Sequence, residues 1–159
     1  MASTIRYGNG LSSGTPDPFE LSFPLPHAPG SRIHLHLTNL RTSLLLFFTT
    51  TSGETASTAA SLGSFVYAMP NRTNRAAPSL STPLYTQSST LDFATRLAKV
   101  LAKRVGKPVY VGNSISFAAA GMGGTVEEEM EAFKRCVEVV VGVLEMEAER
   151  EGRKGVDEV

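Results

Sequence analysis

Residues 91–133 read LDFATRLAKVLAKRVGKPVYVGNSISFAAAGMGGTVEEEMEAF, and they carry the clearest secondary-structure signals in the chain. Apolar side chains recur at helical spacing in the first part of this stretch. PVYVG at 108–112 is rich in strand-forming residues. Thr125 and Glu128 then have the spacing of a capping box, which starts a second helix. The stretch therefore predicts a helix, a short strand, a Gly-rich link and another helix.

The two predicted helices have recognisable ends. The first covers 89–105, with Ser89 as the expected N-cap and Asp92 completing an approximate capping box. Gly106 is the expected C′ residue, because a proline two positions later prevents the helix from continuing. The second helix is expected to end near Met146, where the apolar pattern gives way to the charged sequence EAEREGRKGVDEV.

Several predicted strands precede these helices. RIHLHLT at 32–38 alternates cleanly, with apolar residues on one face and two histidines on the other. SLLLFFTTT at 43–51 and GSFVYAM at 63–69 are apolar on both faces. The remaining predicted strands are those at 19–25, 84–86 and 108–112. This order predicts an α+β domain in which two main helices cover one face of a largely antiparallel sheet of about six strands.

The chain has the length of a single domain, at 159 residues. Its polar, Gly/Ser-rich start predicts a disordered N-terminal tail over 1–17. The α+β domain is expected to occupy 18–146, and 147–159 is expected to form a charged C-terminal tail.

Composition argues against several functional classes. Fifteen basic and fifteen acidic residues give a formal net charge of zero, so no overall field would attract nucleic acid or a membrane surface. The start of the chain lacks the apolar segment of a signal peptide, and no apolar run is long enough to span a bilayer. A single cysteine, Cys136, fits a reducing compartment. We therefore expect a cytoplasmic protein, also compatible with the nucleus, with neither nucleic acid nor membrane as partner.

Residue types that perform chemistry are sparse and poorly grouped. His34 and His36 share a strand face, but a zinc site needs three or four ligands. GMGG at 121–124 precedes a helix, yet the full dinucleotide fingerprint is absent and three glutamates follow it. Cys136 lies beside the apolar stripe of the second helix, where a buried structural thiol is usual. We expect no catalytic residue, no metal site and no cofactor, and hence no enzyme.

Protein–protein contact is the better-supported kind of function. Two helices can cover only one face of the sheet, whereas two strands are apolar on both faces, so the second face is expected to form a dimer interface. His34, His36, Leu45 and Phe47 are the residues expected there.

A second expected contact lies on the first helix. Arg96, Lys99 and Lys103 cluster away from its apolar stripe within two turns. Such a basic flank is either a solvated surface or a docking site for an acidic protein surface.

The sequence resembles the proteasome assembly chaperone 4 family, in a fungal-type version, from about residue 19 to about residue 133. The similarity rests on RIHLHLTNLRTSLLLFF, AMPNR, FATRLAKVLAKRVGKPVYVGNSI and TVEEEMEAF, in that order. It implies a non-catalytic chaperone that forms a heterodimer with proteasome assembly chaperone 3. It also implies that the pair holds an α-type subunit of the 20S proteasome, the α5 subunit, while the α-ring forms. The basic flank would then be the client-docking surface.

Two alternatives stay open at this point. The chain could be a small-ligand-binding or enzymatic α+β domain that uses the Gly-rich link or the histidine pair. It could also be an adaptor unrelated to proteasomes.

Overall fold

The computed structural model describes residues 4–7, 16–52, 61–118, 120–121 and 123–154. Most of the predicted N-terminal tail and the last five residues of the predicted C-terminal tail lie outside these ranges.

Seven strands and two helices make up the described fold. The strands are β1 Thr4–Tyr7, β2 Phe19–Pro24, β3 Ser31–Asn39, β4 Leu44–Ser52, β5 Ser64–Met69, β6 Leu80–Tyr85 and β7 Val109–Ser114, and the helices are α1 Ser88–Val105 and α2 Val126–Lys154. All strands belong to one sheet in the order β1-β2-β3-β4-β7-β5-β6. Only the central β4–β7 pair is parallel among the pairs of this sheet. The predicted α+β class with a largely antiparallel sheet is confirmed.

Strand β1 lies inside the segment 1–17 that was predicted to be disordered. Its four residues pair antiparallel with β2, from Thr4 opposite Ser22 to Tyr7 opposite Phe19. The prediction of disorder is therefore wrong for these residues. TIRY is a short run with strand-forming residues inside a Gly/Ser-rich segment, so the composition of the whole segment did not indicate a strand. The free edge of β2 supplies the hydrogen-bond partners of this strand.

Strand β6 begins earlier than the strand predicted at 84–86. It starts at Leu80 and includes Pro83, in a stretch that looks like a polar insertion. Because β6 is at the edge of the sheet, a proline can be accommodated there despite its missing N–H.

The helix ends differ from the prediction at two places. The N-cap of α1 is Gln87 rather than Ser89, and no side chain caps it. The backbone carbonyl of Gln87 instead accepts hydrogen bonds from Thr90 N, Leu91 N and the Ser64 hydroxyl, so a tertiary contact fixes the start of the helix. Helix α2 continues through Lys154, beyond the predicted end near Met146. Residues 147–154 are mostly strong helix formers, which extend the helix without an apolar stripe.

The other predicted helix ends are confirmed. Gly106 closes α1 in the left-handed conformation, at φ 73°. Thr125 and Glu128 form the capping box of α2, in which Glu128 N donates to Thr125 Oγ1 at 3.3 Å and Thr125 N donates to Glu128 Oε2 at 2.9 Å. Neither helix is long and apolar enough over the described residues to cross a membrane.

One hydrophobic core lies between the sheet and the two helices. Its fully buried large side chains come from β2, β3, β4, β5, β7 and α1: Phe23, Ile33, Leu35, Leu37, Leu44, Leu46, Phe48, Val66, Leu97, Leu101, Val109 and Val111. Helix α2 contributes Ala132, Cys136, Val137, Val140 and Val143. Both helices therefore cover the same face of the sheet, as predicted.

A buried polar network joins β5, β7 and the start of α1. The Ser64 hydroxyl is 2.9 Å from Gln87 O and 2.9 Å from Thr90 Oγ1, and it accepts a hydrogen bond from Gln87 N. Asn113 donates from its side-chain amide to Thr90 O at 3.3 Å. Buried polar groups that are satisfied in this way fix a single arrangement, so the network sets where the start of α1 lies against β5 and β7.

Candidate protein interface

The sheet face opposite the helices carries large apolar side chains. Leu45 and Phe47 of β4, Tyr110 of β7, and Phe65 and Tyr67 of β5 alternate with core residues and are all half-buried. Both helices pack on the other face. We call this surface the open face.

The aromatic rings of the open face form a continuous row. The Phe47 and Phe65 rings are stacked with centroids 5.9 Å apart, Phe65 and Tyr110 are 6.1 Å apart, and Tyr110 and Tyr67 are 4.9 Å apart. Gly112 lies between Phe47 and Phe65 in the register, and a Cβ there would be 2.5 Å from the Phe47 ring. The glycine therefore allows the two phenylalanines to meet across β7.

The apolar surface continues to the edge of the sheet. Met69 of β5 shares a face with Phe65 and Tyr67, and it lies opposite Leu80 of β6 in the register. Tyr85 of β6 lies opposite Phe65. Leu80 and Tyr85 are 58% and 59% exposed. A contiguous exposed apolar surface of this kind marks a protein interaction site. The strand predicted at 84–86 was too short to include Leu80, and Tyr85 comes opposite Phe65 only through a register shift that local alternation does not show.

The four residues predicted for the dimer interface lie together on the open face. In the register His36 is opposite Phe47, and His34 lies two residues before it in β3 on the same side. The His36 ring meets the edge of the Phe47 ring at 6.3 Å, and its Nδ1 is 3.7 Å from a carboxylate oxygen of Glu20. Leu45 precedes Phe47 by two residues in β4. That they contact a partner stays a prediction.

His34 forms a hydrogen bond between Nε2 and Thr51 Oγ1 at 2.7 Å. Burial, with a smaller contribution from the Arg32 guanidinium, lowers the pKa of His34 below its usual 6.5. The neutral ring is thus favoured in the folded chain, and the unfolded chain takes up a proton first as the pH falls.

We expect acid to destabilise the chain partly through His34. The contribution is complete above about pH 6.5 and is lost as the pH falls below that value, because the unfolded state then binds the extra proton. The ring is only half-buried, so the effect is at most about 1 kcal/mol. His34→Gln keeps a partner for Thr51 and removes the titration. The melting temperature should therefore decrease less between pH 7.5 and pH 5.5 for His34→Gln than for the unmodified chain. Equal decreases would contradict this.

The residues that could support an enzyme are engaged in structural contacts. Cys136 is fully buried in the core, and this burial raises the pKa of its thiol well above the usual value. Gly124 N and Thr125 N donate to Glu128 Oε2 at 3.1 and 2.9 Å, so a carboxylate of this chain occupies the donors beside the Gly-rich link. Within the described residues no three His, Cys, Asp or Glu side chains are grouped to hold a metal ion.

The predicted basic flank lines a cleft between α1, α2 and the segment 76–79. The cleft has a volume of about 600 Å³, and Arg96, Lys99 and Lys103 lie along its α1 side. Arg96 is not a free charge, because it pairs with Asp92 of its own helix at 2.8 Å and with Glu129 of α2. Lys103 donates to Ala76 O at 3.3 Å. The structure therefore places the three predicted residues at one cleft. Apolar side chains of both helices line the same cleft, and the sequence pattern did not show this common surface.

Comparison with known proteins gives a family match and a similar fold. The family model for proteasome assembly chaperone 4 matches residues 32–115, just over half of the chain. The fold is similar to a solved yeast structure described as a novel chaperone complex for 20S proteasome assembly, with a TM-score of 0.50 and 18% sequence identity. That similarity covers 89% of this chain and 95% of the yeast chain. No curated protein sequence matches the chain.

Proposed function

Because the chain belongs to the proteasome assembly chaperone 4 family, we propose that it is a non-catalytic chaperone of 20S proteasome assembly that works as a heterodimer with proteasome assembly chaperone 3. The family is one of proteasome assembly chaperones, in accord with the resemblance seen in the sequence. In this proposal the pair holds an α-type subunit, the α5 subunit, during α-ring formation, in the cytoplasm or nucleus.

The open face is the observation that best supports the proposed heterodimer. Its aromatic row is half-buried within the chain alone, and the exposed apolar residues of β5 and β6 extend it to the sheet edge. Packing against the sheet of a partner would remove this surface from water, which stabilises the complex by about 25 cal/mol for each Å² of apolar area buried. The product would be a sandwich with helices on both outer sides.

Mixing the chain with proteasome assembly chaperone 3 tests the heterodimer. We expect size-exclusion chromatography with light scattering to show one complex with the mass of one copy of each chain. The same measurement on the chain alone serves as the control, since a self-associating chain would show its own dimer mass. A stable monomer that does not bind chaperone 3 would contradict the proposal.

The basic side of α1 supports the contact with the client. A chaperone must release its client, so this contact is expected to be more polar and more sensitive to salt than the dimer interface. Lys99 and Lys103 lie on the helix layer, on the opposite side of the sheet from the open face. The chain can therefore hold a partner and a client at the same time through separate surfaces.

A further inference from the structure

We propose that the cleft between α1, α2 and residues 76–79 binds an acidic segment of the captured α-type subunit, and that an apolar side chain of this segment inserts between Val100 and Met130. This inference rests on the proposed function and specifies how the client is recognised. We call the site the basic cleft.

The lining of the basic cleft combines an apolar floor with a charged margin. Val100 of α1, Met130 and Phe133 of α2, and Pro78 supply its apolar surface. Met130 is 49% exposed although it belongs to the helix face that approaches α1. A volume of about 600 Å³ is that of a site for a few side chains rather than for a whole domain surface.

The charge of the margin is positive. Lys99 and Lys103 on α1 face Lys134 on α2 across the cleft. None of the described lining residues is acidic, and Asp92 and Glu129 beside the cleft are both paired with Arg96. A segment that enters between the two helices therefore meets three ammonium groups, which favours carboxylates on either side of its apolar side chain.

The site fits a peptide better than a nucleic acid. Phe133 is the aromatic ring among the described residues of the cleft, and the Arg96 guanidinium lies over it at 5.5 Å from the ring centroid. The ring also meets the Phe93 ring edge-to-face at 5.6 Å. No free aromatic face is thus offered by the described lining for the base stacking that single-stranded nucleic acids use.

The test compares client binding by three variants of the heterodimer. Met130→Glu places a charge at the apolar floor and should weaken binding of the α-type subunit at least about tenfold. Met146→Glu changes the same residue type on the same helix outside the cleft, where the side chain is 44% exposed, and should leave binding unchanged. The double change Lys99→Glu with Lys103→Glu should weaken binding about tenfold at low salt and less at high salt.

A photocrosslinking amino acid in place of Met130 identifies the bound segment. Mass spectrometry of the crosslinked product should locate an acidic segment of the α-type subunit with an apolar residue at its centre. Crosslinks to a segment without acidic residues, or equal binding by Met130→Glu and Met146→Glu, would overturn the basic cleft while leaving the chaperone function intact. If the unmodified heterodimer binds no α-type subunit, the proposed function itself fails, and this inference fails with it.

Discussion

Phe47→Lys should weaken binding to proteasome assembly chaperone 3 at least about 30-fold while the chain remains folded. Phe47 lies in the aromatic row of the open face, stacked on Phe65. In the free chain a lysine at this position keeps its ammonium in water, so the cost is about 1 kcal/mol of lost aromatic contact. In the proposed heterodimer the same ammonium would be buried without a partner, which costs about 2–5 kcal/mol. The affinity should therefore fall by a factor of about 30 to several thousand.

Glu145→Lys is the control for this prediction. Glu145 is exposed on α2, in the helix layer on the other side of the sheet from the open face. Titration calorimetry on both variants should show normal binding for Glu145→Lys and binding weakened at least about 30-fold for Phe47→Lys, with circular dichroism confirming that both are folded. Equal affinities for chaperone 3 would show that the partner does not use the open face.

Local patterns predicted the parts of the fold that depend on local chemistry. Period-two alternation placed His34 and His36 on the face opposite the core, since it fixes side-chain direction within a strand. The capping box of Thr125 and the glycine at 106 located helix ends, because those contacts span only a few residues. The same alternation placed apolar side chains of β4 and β5 on the open face, whereas the covering of that face by a partner stays a prediction.

The parts that were missed depend on contacts distant in sequence. Strand β1 is ordered by the edge of β2, and the start of α1 is set by Ser64, more than twenty residues before it. The apolar floor of the basic cleft also requires α2 to lie beside α1, which no local pattern of α1 reveals. The ion pair between Arg96 and Glu129 follows from the same packing. It neutralises part of the positive charge that the α1 sequence alone indicates.

Gly63 links the buried polar network to the open face. It directly precedes Ser64 and has a φ of 64°, and a Cβ placed on it would be 2.0 Å from the carbonyl oxygen of Asn113 in β7. The contact is with backbone, which cannot rotate away as a side chain would. The absence of a side chain at Gly63 thus allows β5 to begin pairing with β7 and brings Phe65 and Tyr67 to their places in the aromatic row.

Gly63→Ala should therefore be the most damaging single-methyl change at a described glycine. The positive φ costs about 1–2 kcal/mol for a residue with a Cβ, and displacing the β7 backbone costs a further 1–3 kcal/mol or so. We expect the free energy of unfolding in urea to fall by about 4 kcal/mol in total. Gly106→Ala is the matched control, because Gly106 has a similar φ of 73° with no atom within 4 Å of the added methyl group. It should lose only about 1–2 kcal/mol from the backbone conformation. The difference between the two variants measures the close approach at β7, and equal losses would mean that β5 does not need it.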